Sequence, residues 1–405
     1  MSLLDMEQAT RIELAYSAWE ADILPLNYAC VILLYPKHDL FPNRKYNNFM
    51  KKMTSKTAEE VVLWYDANKR SMPWRDTGNP YDVWLSEIML QQTRIEAVKP
   101  KYEAFKKALP DIPSLASCED DFLMRLWEGL GYYSRARNLK KCAITLVKDY
   151  HGYLPKDNET LKKLPGIGPY TAGAIASIAY DLPVPAVDGN VLRVLARYFA
   201  CQDNIRNDAV KKTIQDTIQP LYATKRRKGF FAAFNQGLME IGEVVCVPNG
   251  APHCDYCPLK MECMTKKKKL WDAIPYRAAL KKRKIIDRTL LILRDGDSFL
   301  LHKRDSKGLL AGLYEFIGID DHINEKQALQ EAQKLGAVPV RITHLPQAKH
   351  IFSHLEWHMQ AYEIQVEQME NIKMNHCVLA NKKELASLAI PSAFKTYIDW
   401  YALRD

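Results

Sequence analysis

Cys246, Cys254, Cys257 and Cys263 form a Cys-x7-Cys-x2-Cys-x5-Cys run, with Pro258 behind the third cysteine. Four thiolates at that density hold either a tetrahedral zinc ion or an iron–sulfur cluster, and spacing alone does not separate the two. A zinc ribbon pairs two short Cys-x2-Cys knuckles, and one such knuckle is present. The other five cysteines, Cys30, Cys118, Cys142, Cys201 and Cys377, are scattered. An odd, clustered set without an export signal fits a reducing compartment and a metal better than a disulfide framework.

Two carboxylates stand out next. Glu87 lies in Val83-Trp84-Leu85-Ser86-Glu87-Ile88-Met89-Leu90. On a helix its neighbours three and four residues away are Val83, Trp84, Leu90 and Gln91, a mostly apolar face. Ionisation is costly there, so the pKa should rise, as a general acid at neutral pH requires. The plainer reading is a partly exposed acid on a helix edge. Asp188 precedes Gly189-Asn190-Val191-Leu192-Arg193, which reads as a new helix. Capping that helix is its ordinary duty, and a cap carboxylate stays ionised beside a helix N-terminus. A neutral Glu87 with a charged Asp188 is the division of labour needed to cleave a glycosidic bond through a cationic sugar.

The third motif is Leu164-Pro165-Gly166-Ile167-Gly168-Pro169-Tyr170-Thr171-Ala172. Gly166 and Gly168 let the backbone turn tightly and approach a ligand, and the next helix offers free N–H groups to a phosphate. A ligand-free helix–helix connection explains the same residues. The segments around these motifs carry apolar residues at three- and four-residue spacing, as in Ala58–Asn68, Tyr81–Leu109, Asp121–Leu130, Arg135–Tyr150 and Ala172–Tyr180. Beyond residue 285 the pattern changes. Thr289–Arg294 and Ser298–Lys303 flank Asp295-Gly296-Asp297, a hairpin signal, and Phe352–Val366 alternates. Glu325–Leu335 and Asn381–Leu388 look helical.

The chain is therefore expected to comprise an extension over 1–53 with no assigned role, an all-α domain over 54–265, a linker over 266–284 and an α+β domain over 285–405. Of its 405 residues, 47% are apolar and 26% charged, which excludes a wholly disordered or fibrous protein. No apolar run is long enough to span a bilayer, so no membrane partner is expected. The net charge is +9. Between Lys266 and Lys284 nine cations face one anion, so +8 of that total sits in the linker, where phosphates of an anionic partner would meet it.

Several stretches together resemble the helix-hairpin-helix DNA glycosylases of the endonuclease III superfamily, and within them the MutY-type adenine glycosylases. They are Pro73-Trp74-Arg75, the run Trp84 to Thr93, Gly129-Leu130-Gly131-Tyr132-Tyr133, Arg135 to Leu139, the hairpin, Val187 to Val191, and Phe234-Asn235-Gln236. Gly308 to Phe316 and Phe352-Ser353-His354 resemble that family's recognition domain, which is Nudix-like. The resemblance implies a [4Fe–4S] cluster on the four cysteines, although the first spacer here is one residue longer than the family's. It implies a monomer acting on double-stranded DNA with adenine opposite 8-oxoguanine or guanine. Glu87 would protonate the adenine. Asp188 would stabilise or transiently attack the sugar, with Tyr170 and Asn190 supporting both acids. Trp74, Arg75, Leu90 and Gln236 would form the adenine pocket, while Gln92 and Tyr132 wedge the duplex and Gly166 and Gly168 grip its backbone. Phe352, Ser353 and His354 would read the 8-oxoguanine.

Sister activities are tested by single residues. The lyase branch places a lysine in the hairpin where this chain has Tyr170, and a tyrosine forms no Schiff base. Leu192 stands where some members of the family carry a lysine. A mismatch thymine glycosylase is the nearest alternative, and the appended C-terminal domain argues against it. A non-catalytic DNA-binding protein would be expected to lack Glu87 or Asp188, and both are present. Nudix hydrolysis needs a block of acids for Mg²⁺, and after Gly308 only scattered Asp320, Asp321, Glu325 and Glu331 occur. The expected location is bacterial cytoplasm at the nucleoid, or the nucleus in a eukaryote.

Overall fold

The computed structural model describes residues 52–279, 282–369, 372, 374–385 and 387–402. The extension expected over 1–53 falls outside them apart from its last two residues, as does Lys281 of the linker.

Twelve helices precede the first strand among the described residues: α1 Ser55–Asn68, α2 Pro80–Leu90, α3 Ile95–Ala108, α4 Ile112–Ser117, α5 Asp120–Leu126, α6 Ser134–Tyr150, α7 Asn158–Leu161, α8 Pro169–Ala174, α9 Gly189–Phe199, α10 Asp208–Tyr222, α11 Phe230–Val244 and α12 Met264–Lys268. Their starts follow capping chemistry. Thr54 accepts from the Thr57 amide, Asn79 from Tyr81 ahead of an N-terminal Pro80, and Asp188 from Val191. Helices of this part bury Trp84, Met89, Phe105, Trp127 and Leu139 in one continuous core.

The stretch Tyr81–Leu109, which reads as one helical run, is broken between α2 and α3. Gln92 takes a left-handed φ of +57°, and the chain restarts at Ile95. The stretch Ala172–Tyr180 also differs, because α8 passes into a π-helical turn over Ile175–Ala179. Ser177 Oγ donates to the Gly173 carbonyl there. Periodicity identified the apolar faces correctly and was blind to the interruptions, because a one-residue φ reversal leaves the spacing of apolar residues nearly unchanged.

The C-terminal part is a seven-stranded mixed sheet. Its strands are β1 Lys284–Asp295, β2 Ser298–Lys303, β3 Tyr314–Glu315, β4 Ile317–Ile319, β5 Pro339–Ile351, β6 Leu355–Val366 and β7 Cys377–Asn381. The path runs β3-β2-β1-β6-β5, with β4 also on β1 and β7 on β2. β1 and β2 form the expected hairpin, and β1 runs parallel to β6. Alternation along β1 sends Leu290 and Ile292 to one face, with Trp357, Phe394 and Tyr397. Leu291 and Leu293 go to the other, where Ala328 and Ala332 of α13 (Glu325–Lys334) cover them. Two short helices, α14 (Lys382–Leu385) and α15 (Lys395–Ala402), follow β7.

The helices and the sheet touch through specific groups. Asp121 of α5 accepts from Lys303 Nζ at 2.7 Å and from the Tyr314 hydroxyl at 2.8 Å. Arg137 of α6 donates to the Ala311 carbonyl at 2.7 Å, and Leu313 and Ala389 join the helical core.

Candidate active site

Glu87 sits on the last turn of α2, half-buried, and faces a cleft of about 1440 Å³. The hydroxyl of Tyr170, on the first turn of α8, donates to Glu87 Oε2. Burial pushes the Glu87 carboxyl up to about 7, and the Asp188 charge pushes the same way. The Tyr170 hydrogen bond and the Arg75 guanidinium oppose them. The apolar helix face read from sequence thus yields an acid poised near neutrality. Tyr170 is itself held far above its ordinary value by burial, so it remains a neutral donor.

Asp188 lines the same cleft as the N-cap of α9, its Oδ1 accepting the Val191 amide at 2.7 Å. Burial raises its pKa, although the Val191 and Asn190 amides and the Arg193 charge pull it down. The helix end therefore does not set the balance alone, which corrects the simple picture of a cap that keeps its acid strong.

Trp74, Arg75, Leu90, Gln92, Asn190 and Gln236 also line the cleft. Trp74 rests edge-on against Tyr102, with ring centroids 5.2 Å apart. Gln236 Nε2 donates to the Ala232 carbonyl at 3.2 Å. Asn190 departs from expectation. Its side chain accepts from Arg193 Nη2 at 2.8 Å and donates to Glu243 at 3.5 Å, so its support for Asp188 comes through its backbone amide. Gly242 makes this arrangement possible, since a Cβ there would meet the Asn190 Cβ at 2.7 Å.

Three groups had no signal strong enough to be singled out in the sequence. Glu240, buried on α11, accepts from Arg70 Nε at 2.5 Å and Arg75 Nη2 at 2.6 Å, fixing the Arg75 fork at the cleft wall. Burial raises its carboxyl, but the two arginines outweigh that and hold it low. Its place four residues after Gln236 was the available clue. Arg193 joins the cleft to the cysteine loop, donating to the carbonyls of Gly242 at 2.6 Å and Cys246 at 2.8 Å. Arg135 is the third.

Gln92 and Tyr132 both have left-handed backbones, with φ of +57° and +46°, and Tyr132 is 45% exposed. Strain of this kind in non-glycine residues persists where the surroundings over-determine it. Arg135 supplies that constraint. Its buried guanidinium donates to the carbonyls of Ile88 and Met89 at the end of α2, of Gln91 just beyond it, and of Leu130 and Gly131 before α6, and to Thr93 Oγ1. Gly166 has a φ of +75°, and a Cβ there would meet the Asn138 Cβ at 2.7 Å, whereas Gly168 faces open space. Tyr132 and the two hairpin glycines lie outside the cleft lining.

Phe352, Ser353 and His354 form the β5–β6 turn, also away from the cleft lining. Ser353 and His354 are exposed, and the Phe352 ring lies between His350 and Trp357. The cysteines are free and half-buried. Cys246 Sγ accepts from Arg197 Nη1 at 3.4 Å. Burial, then the neighbouring cysteines, raise Cys257 to about 12 and also raise Cys263. The four thiols thus share one small region, a donor set that suits a thiolate-bound iron or zinc centre. Among the described residues no group of three or more ligating side chains stands at metal-holding distances.

Residues 85–220 match the HhH-GPD superfamily base excision DNA repair proteins, and residues 288–400 match the NUDIX domain. The adenine DNA glycosylase of Buchnera aphidicola subsp. Baizongia pistaciae is 37% identical over 313 residues, 75% of this chain and 84% of that protein. The chain belongs to the adenine DNA glycosylase family. The mouse member is 34% identical over 366 residues, covering 76% of this chain and 70% of its own. Among solved structures, a thermostable thymine-DNA glycosylase aligns over 52% of this chain and 95% of its own, at 26% identity and a TM-score of 0.46.

Proposed function

We propose that this member of the family removes adenine opposite 8-oxoguanine, and more slowly adenine opposite guanine, leaving an abasic site. The observation that carries the reading is the near-neutral Glu87 carboxyl, hydrogen-bonded by Tyr170 and sharing one cleft with Asp188. A base inside a duplex is out of reach of such a cleft, so the adenosine flips out, at a cost of a few kcal/mol that a mispair reduces. Gln92 and Tyr132 fill the vacated stack, and the hairpin glycines admit the DNA backbone. Trp74, Arg75, Leu90 and Gln236 enclose the base.

Glu87 gives its proton to adenine N7. The C1′–N9 bond breaks with its electron pair leaving on the adenine, and the Asp188 carboxylate faces the resulting oxocarbenium-like sugar. Water then adds at C1′, and its proton returns to Glu87. Phe352, Ser353 and His354 read the opposite 8-oxoguanine. Cys246, Cys254, Cys257 and Cys263 would hold a [4Fe–4S] cluster, which would tie the loop after α11 into a rigid, DNA-facing unit. Such a protein acts as a monomer on nucleoid or nuclear DNA.

The deciding assay is single-turnover cleavage of a duplex carrying adenine opposite 8-oxoguanine, with alkali to reveal the abasic site. Glu87→Gln should lower the rate by at least about 10²-fold with mismatch binding retained, as loss of a general acid does. Turnover retained in that variant would end the general-acid role. Iron and sulfide analysis should find about four of each per chain, as the cluster's composition requires. A colourless, zinc-loaded protein would overturn the cluster.

A further inference from the structure

Arg277 lies in the segment read from sequence as a basic tether, yet its surroundings hold it in place. Arg197 Nε donates to the Ile274 carbonyl at 2.9 Å, the Ile205 amide to the Tyr276 carbonyl at 3.1 Å, and the Ala278 amide to Asn204 Oδ1 at 3.2 Å. Arg206 donates to the Ala278 carbonyl. Anchors at 274, 276 and 278 fasten alternate residues to the helical part and leave the intervening Arg277 side chain exposed, at the wall of the catalytic cleft.

The other cleft cations are mostly engaged. Arg70 and Arg75 serve Glu240, Lys211 pairs with Asp208, and Arg193 donates to backbone carbonyls and Asn190. Among the described residues, only Arg94 and Arg277 of that lining have no side-chain acceptor. Arg193 and Arg277 line the same cleft as Asp188. An uncompensated cation beside a sugar that develops positive charge would oppose the reaction. A bound anion removes that conflict.

We propose that Arg277 binds a backbone phosphate beside the flipped nucleotide, positioning its sugar against Asp188. The inference rests on the glycosylase reading above. Binding of full-length wild type, Arg277→Ala and Arg277→Lys would be measured against salt, on a duplex with a non-hydrolysable adenosine analogue opposite 8-oxoguanine. Arg277→Ala should bind about tenfold more weakly and lose about 0.9 from the slope of log K against log salt, while Arg277→Lys keeps most of both. Neutral methylphosphonates placed one at a time next to the target nucleoside provide a second measurement. One linkage should weaken wild type about tenfold and leave Arg277→Ala nearly unaffected. An unchanged salt slope, equal methylphosphonate penalties in both proteins, or a wild type indifferent to every adjacent linkage would overturn the assignment. If wild type binds in this pattern but releases no adenine, the glycosylase reading fails and the phosphate contact stands.

Discussion

Tyr170 holds the balance at Glu87. Its hydroxyl bonds to the carboxylate form, so it lowers a pKa that burial raises to about 7. The reactive form is the protonated acid, so the single-turnover rate should be level below about 7 and fall roughly tenfold per pH unit above it. Tyr170→Phe removes the only hydrogen bond among the named influences on Glu87, so the pKa should climb and the descending limb move to higher pH. A limb that stays put or moves to lower pH would strip Tyr170 of this role. The Glu87 shift was legible in the sequence because its cause, an apolar helix face, is local. The Asp188 shift was not, since it depends on burial in the folded chain and on charges such as Glu243 of α11, far from a cap that looked ordinary.

Between α2 and α3, and again before α6, the chain bends at a strained residue, and both bends converge on Arg135. One guanidinium with six acceptors couples two loops some forty residues apart. Burial lowers its pKa only to about 10, so it stays charged at neutral pH. Arg135→Lys keeps the charge and loses the planar fork, and an ammonium offers three donors for those six acceptors. The rate on a mispaired duplex should fall at least about tenfold, since misplacing positioning groups by about 1 Å costs 10²-fold in comparable cases. For adenine in an unpaired bulge, where the substrate is already unstacked, the defect should be much smaller. Equal losses on both substrates would make Arg135 a general scaffold residue instead. The sequence showed both loops and the arginine, but nothing in a linear pattern pairs a side chain with backbone carbonyls on two separate segments.

Across the whole molecule, the helical part offers the cleft and the sheet part offers the β5–β6 turn. The chain between them runs from Arg277 at the cleft to Arg283, whose Nε donates to the Phe352 carbonyl at 3.1 Å. The contacts of Asp121 with Lys303 and Tyr314, and of Arg137 with Ala311, hold the two parts together without using the reactive groups. On the proposed reading, base removal acts on one strand and base reading on the other. Phe352→Ala with Ser353→Ala should therefore lower the ratio of rates opposite 8-oxoguanine and guanine, while leaving removal opposite guanine within about threefold. Each lost recognition contact accounts for about 1–3 kcal/mol of discrimination. An unchanged ratio would remove the turn from the reading of 8-oxoguanine.

By itself the sequence determined the helical and sheet-bearing parts, the cysteine loop, the hairpin and the two acids, because each depends on neighbours within a turn or two of chain. Only the tertiary structure decided which way Asp188 shifts, that Asn190 serves through its amide, that Glu240 fixes Arg75, and that one cation of the +8 linker stands in the cleft. Those outcomes depend on desolvation and on donors brought together from distant segments, quantities that exist only once the chain has closed around them.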